Sequence, residues 1–140
     1  MKRVAICFVA ATVLAICSVA ANAQTISGAL LKANIPFDFS VQNVVLEKGT
    51  YVIDSIGERS QCLRSAASSK SVLFLSTPMS KPNADPSKYV LIFHRYGNEH
   101  VLAEVWSGEN GHLLPKSRRE AQLAKASQQE PVTVALLLEK

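Results

Sequence analysis

The 140-residue sequence predicts an all-β domain, mainly antiparallel, with about seven strands arranged as a sandwich or small barrel and one C-terminal surface helix before the last strand. Three observations carry this expectation. Residues 31–41 alternate strictly between apolar and polar side chains, the period of a strand with one dry and one wet face. Several β-rich runs follow at short intervals separated by turn residues, which favours antiparallel neighbours. The single helical signal, "PKSRREAQLAKASQQEP", comes late in the chain.

The N-terminus reads as an export signal. Met1-Lys2-Arg3 is a positive start, "VAICFVAATVLAICSVAA" is an apolar run, and Ala21-Asn22-Ala23 places small residues where a signal peptidase reads them. Cleavage is expected before Gln24, giving a signal peptide at 1–23 and one β-rich domain at 24–140. An uncleaved anchor is the rival reading, because eighteen apolar residues sit at the short end of a spanning helix. The polar "QTISG" that follows favours removal, after which no membrane span is expected. Bulky Ile16 before Cys17 argues against lipid attachment. The remaining 117 residues suffice for one modest core. Loss of Lys2 and Arg3 lowers the net charge from +4 to +2, so part of the basicity belongs to the leader. Cys7 and Cys17 leave too. Cys62 then has no internal disulfide partner, and reads as a small buried hydrophobe or as the site of an intermolecular disulfide.

In "LLKANIPFDFSV", Leu31, Ala33, Ile35, Phe37, Phe39 and Val41 form the apolar face of the first strand. Pro36 lacks a ladder donor, which places that strand at an edge or marks a bulge. "LEKG" turns the chain into the strand "TYVIDSI", ended by "GERS". "CLRSA" and "SVLFLS" are two short strands joined by "ASSK". Residues 77–88, "TPMSKPNADPSK", carry three prolines without periodicity and read as a long surface loop. In the helix, Ser117 and Glu120 match a capping box, each side chain satisfying an orphan amide of the first turn. Leu123 is its only large apolar residue and Pro131 stops it, so it should lie on the surface. "VTVALLL" closes the fold.

Between the loop and the helix lies "YVLIFHRYGNEHVLAEVW", residues 89–106. A two-residue turn at Gly97-Asn98 sets a register in which Tyr96 faces Glu99, Arg95 faces His100, His94 faces Val101, Phe93 faces Leu102 and Tyr89 faces Trp106. One side then carries Val90, Ile92, His94 and Tyr96 with Val101, Ala103 and Val105. The other carries Tyr89, Leu91, Phe93 and Arg95 with Leu102, Glu104 and Trp106. Both faces are apolar in the middle, as in a central hairpin covered on both sides. His94 and His100 fall on opposite faces and cannot share one metal, and His112 lies beyond a Gly-rich turn. Glu104 needs a cation or the sheet boundary, because an unpaired buried carboxylate is costly.

The segments "IPFDFSV", "LEKGTYVI", "LIFHRYG", "LAEVW" and "LPKSRRE" together resemble a group of small exported bacterial β-rich proteins of uncharacterised function. The resemblance covers most of the mature chain; Pro-Ala more often stands in that group where this chain has Glu47-Lys48. It implies export and supplies no catalytic residues.

Function classes narrow accordingly. G-x-S-x-G, a Gly-rich phosphate loop, C-x-x-C and H-E-x-x-H are all absent from the sequence. Arg118-Arg119 sit beside Glu120 at a helix start, and the small net charge argues against nucleic acid. Too few long strands remain for a transmembrane barrel. The expectation is a non-enzymatic exported β domain, periplasmic or secreted, without cofactor or metal. It would act by surface or cleft binding on an envelope protein or small ligand. Residues 77–88 and the edge of strand 31–41 are candidate contacts. The candidate ligand-binding residues are His94, Tyr96 and Glu99, as a pocket mouth, with Trp106. One alternative is a small-ligand carrier whose barrel cavity touches His94, Tyr96 and Trp106. The other is a small hydrolase or metal enzyme, which requires at least two of His94, His100 and His112 to converge on a carboxylate.

Overall fold

The computed structural model describes residues 31–138; the expected leader at 1–23 and its expected cleavage point lie outside them. The chain order is β1 (Leu31–Ile35), β2 (Phe39–Val41), β3 (Val44–Leu46), β4 (Gly49–Gly57), β5 (Ser60–Ser65) and β6 (Ser71–Leu75). It continues with β7 (Thr77–Ser80), β8 (Tyr89–Tyr96), β9 (Glu99–Ser107), β10 (Asn110–Leu113), α1 (Arg118–Ser127) and β11 (Val132–Leu138). One sheet runs β1-β4-β5-β6. The other runs β11-β8-β9-β10-β7, with β2 beside β9 and β3 beside β2. All pairings are antiparallel except β2 with β9. The all-β class with one late helix is therefore observed.

Residues 31–35 keep their alternation, but the run is not continuous, and in β2 Ser40 is buried along with Phe39 and Val41. The ladder breaks at Pro36–Asp38, and the chain crosses from the edge of the first sheet into the second. Pro36 supplies the reason: it cannot donate to a ladder, so pairing stops where the chain turns the corner. Leu31, Ala33 and Ile35 face inward from one sheet, and Phe39 and Val41 from the other. Phe39 meets Tyr51 and Phe93 edge-on at 5.2 and 5.7 Å, joining the two layers. Phe74, Ile35, Leu63, Leu91 and Leu102 fill the space around them. Each such side chain, fully buried, contributes about 1.5–3 kcal/mol of transfer free energy.

Four strands beyond the expected seven account for the differences. The break at Pro36 makes β2 separate. β3 and β10 are too short to show a period. β7 occupies the first third of the stretch read as loop, pairing Pro78 with His112 at the sheet edge. An edge strand tolerates proline when its nitrogen faces the open side. Cys62 lies on β5 as expected, but it is only half-buried, on the outward face opposite Asp54 and exposed Leu73.

Candidate functional site

The β8–β9 hairpin follows the predicted register from Tyr96–Glu99 to Phe93–Leu102 and then shifts. Ile92 pairs with Glu104, leaving Ala103 as an extra residue, a β-bulge. Beyond it Val90, not Tyr89, faces Trp106, and Tyr89 faces Ser107, so the expected Tyr89–Trp106 pair is not formed. Because side-chain direction alternates, one inserted residue exchanges the faces of everything after it. Leu91, Phe93, Leu102 and Val105 all reach the core. Glu104 and Trp106 swing to the outer face, alongside Val90 and Ile92. Without the bulge, the Glu104 carboxylate would enter the space between the sheets, where an unpaired charge is prohibitive.

The outer face is covered differently at its two ends. At the turn end, α1 lies over it. Glu120 is 4 % exposed, and its Oε1 accepts from the Tyr96 hydroxyl at 2.9 Å and lies 2.9 Å from His94 Nδ1. Burial, then the Glu120 hydrogen bond and charge, push the Tyr96 phenol up to about 12. Ser117 caps the helix by accepting from the Glu120 amide at 3.1 Å, and it donates to the Gln42 carbonyl at 2.9 Å. Only this half of the predicted box exists in the expected form. Glu120 turns its carboxylate onto the sheet, where buried Tyr96 and half-buried His94 repay it better than one exposed amide. Glu99 pairs with Arg119 at 3.0 Å and does not join His94.

At the other end an open cleft of about 390 Å³ lies between the strands and the 81–88 loop. Val90, Ile92 and Trp106 supply its apolar surface, with Glu104 beside them and Lys81 and Lys88 among its polar residues. The indole N–H donates to Glu104 Oε2 at 2.6 Å, fixing the ring. Trp106 packs over Gly111, where a Cβ would come within 2.5 Å of the ring. The loop is pinned at both ends: the Lys81 amide donates to the Glu109 carbonyl at 2.9 Å and the Gly108 amide to the Lys88 carbonyl at 2.8 Å. Gly108 needs its missing side chain, since it sits at φ +61 with the Pro86 backbone 2.8 Å from where a Cβ would stand. Within the loop, Ser87 donates to Asp85 through its amide and hydroxyl and holds that carboxyl below its ordinary value.

The predicted site residues thus separate into three groups: His94 with Tyr96 on Glu120, Glu99 on Arg119, and Trp106 in the cleft. His100 stacks on Phe37 at 3.9 Å, and burial followed by the charge of Arg95 lowers its pKa. His112 lies 3.2 Å from the Ser76 hydroxyl through Nδ1, and burial lowers its pKa as well. The three imidazoles do not converge. Among the described residues only His94 of the three meets a carboxylate, and the hydroxyl there bonds the carboxylate rather than the imidazole. Among the described residues, no group of three or more His, Cys, Asp and Glu is placed to hold a metal ion, and no helix is long and apolar enough to cross a membrane.

Sequence reasoning missed Glu120 as a partner of His94 and Tyr96, and missed Val90, Ile92, Lys81 and Lys88 as neighbours of Trp106. The matching face of Val90 and Ile92 was visible; the bulge that brings Trp106 to it was not. No family model, curated protein or solved structure matches the chain.

Proposed function

We propose that this chain is an exported, non-enzymatic binding domain of the cell envelope, periplasmic or secreted, and that its site is the Trp106 cleft. The observation that carries the reading is the uneven cover of the outer β8–β9 face. The half under α1 is closed by buried hydrogen bonds, whereas the half under the 81–88 loop leaves an indole and two branched side chains lining open space. The cleft's volume falls within the usual range of small-molecule sites. Its carboxylates are engaged, Glu104 by the indole and Asp85 by Ser87, while Lys88 is largely exposed, 3.9 Å from Asp85. A flat apolar group bearing an anionic end suits that arrangement. The scattered histidines support binding over hydrolysis, and the N-terminal leader pattern supports export.

Trp106 is the only tryptophan, so its emission reports on this cleft alone. The anionic probe 1-anilinonaphthalene-8-sulfonate should quench it saturably, and Ile92→Asp should weaken that binding at least about tenfold, the equivalent of 1.4 kcal/mol. Quenching unchanged by Ile92→Asp in a folded variant, or absent altogether, refutes this placement.

A further inference from the structure

A second cavity, of about 170 Å³, lies between the two sheets. Leu31, Ile53 and Val105 line one part of it, and Ser55, Gln61, Ser107, Asn110 and His112 are its polar residues; among the described residues no Asp, Glu, Lys or Arg lines it. Gln61 is 2 % exposed, and its Oε1 is buried with no hydrogen-bond partner among the described residues. Its ladder neighbours do not relieve it. Ser55 donates its hydroxyl to the Gly57 carbonyl at 3.1 Å, and on the other side stands Phe74. His112 is occupied through Nδ1 by Ser76. A buried amide oxygen without a donor costs stability, so such atoms are normally satisfied by protein, water or ligand.

We propose that this inter-sheet cavity binds a neutral, ring-sized molecule with one hydrogen-bond donor, a phenol-like compound. Its O–H or N–H would bond Gln61 Oε1 while its apolar body packs on Leu31, Ile53 and Val105. Size and chemistry both point there. An enclosed apolar cavity of about 150 Å³ accommodates benzene, so this partly open pocket has room for a six-membered ring on its apolar side. The uncharged lining selects a neutral guest, because burying a charge without a partner is costly. The unpartnered acceptor favours a guest that carries a donor over one that does not. The site lies across the β9 strand from the Trp106 cleft, and neither depends on the other.

The test titrates the exported chain with phenol and, separately, with benzene, following backbone and Gln61 side-chain amide resonances and the His112 ring. Phenol should bind saturably with shifts centred on Gln61, Ser55 and His112, and at least about tenfold more tightly than benzene, which leaves Gln61 unsatisfied. Gln61→Leu should remove that preference, and Ser55→Leu, which reduces the volume from the neighbouring strand, should weaken both compounds. Absence of saturable binding, equal affinities in the unaltered protein, a preference that survives Gln61→Leu, or shifts centred on Val90 and Ile92 would each overturn the proposal. The first of these would make the cavity a water site only. Quenching of Trp106 by the anionic probe is read separately, so failure here leaves the cleft reading standing, and the converse holds.

Discussion

Glu120 Oε1 serves buried Tyr96 and half-buried His94, and both lie on the strand that its helix crosses. The other ties of α1, Arg119 to Glu99 and Ser117 to the Gln42 carbonyl, lie nearer the surface; Glu120 is the only buried residue of the helix. Removing it leaves the Tyr96 hydroxyl and the His94 nitrogen beneath the helix without their acceptor. Hydrogen bonds to a charged group are worth about 1.5–3 kcal/mol, so Glu120→Ala should lower unfolding free energy by about 2–3 kcal/mol in urea titrations. Tyr96→Phe, which deletes one of the two bonds and leaves the carboxylate its imidazole partner, should cost about 1–2 kcal/mol. The reverse ranking would mean that the carboxylate is not what holds the helix. The capping signature at Ser117 and Glu120 made the helix start legible in the sequence. The rotation of Glu120 onto the sheet was not, since it depends on which strand lies beneath, a long-range fact that local pattern does not contain.

At the scale of elements, the bulge at Ala103 decides what β9 presents to solvent. The two-residue turn at Gly97-Asn98, with alternation from it, predicted the strand, its partner and the pairing up to Leu102. After that point the same rule inverted Val105, Glu104 and Trp106. Glu104 was the visible symptom, a carboxylate assigned to a largely apolar face, and the extra residue resolves it. Deleting Ala103 should leave Leu102 opposite Phe93 and Glu104 opposite Ile92 in an unbroken ladder, with Glu104 still on the outer face, so thermal melts should show a loss of no more than about 1–3 kcal/mol. Failure of the deletion variant to fold would show that the bulge itself, and not only the facing it sets, holds the strand. Across the next ladder, Gly111 provides a flat seat for the Trp106 ring. Gly111→Ala should push the indole off that seat at a cost of about 1–3 kcal/mol, shifting its emission and narrowing the cleft, so that probe binding weakens together with stability. The short strands β3, β7 and β10 escaped prediction for a related reason. Three or four residues cannot establish a period, and Pro78 argues locally against a strand that only its edge position permits.

For the whole molecule, the two sheets were legible because residues 31–41 alternate strictly and residues 89–102 carry a two-residue turn between apolar runs, whereas the crossing between sheets at Pro36–Asp38 shows only as a proline. The same packing that closes the fold sets its pH range. His100, beneath the Phe37 corner, and His112, between the sheets, have folded-state pKa values below the ordinary 6.5, chiefly through burial. An unfolded chain takes up protons at these rings near 6.5 while the folded chain does not. Their contribution is therefore complete above about 6.5 and is lost as pH falls through the lower folded values. On the alkaline side the signs are those of a raised acid. Tyr96 ionises near 10.0 when unfolded and at about 12 when folded, and Tyr51 is raised by burial and by nearby Glu47 and Asp38. Their contribution is present below about 10 and is lost as pH climbs towards about 12. Urea midpoints should consequently form a plateau from about 7 to 10 and fall on both sides. Tyr96→Phe should flatten the alkaline limb by up to about 2–3 kcal/mol and leave the acid limb alone. His100→Phe, which keeps a ring against Phe37 but cannot take a proton, should flatten the acid limb and leave the alkaline one. If either substitution shifts both limbs equally, the titrating groups are elsewhere, and the burial assigned to these rings does not govern the stability of the fold.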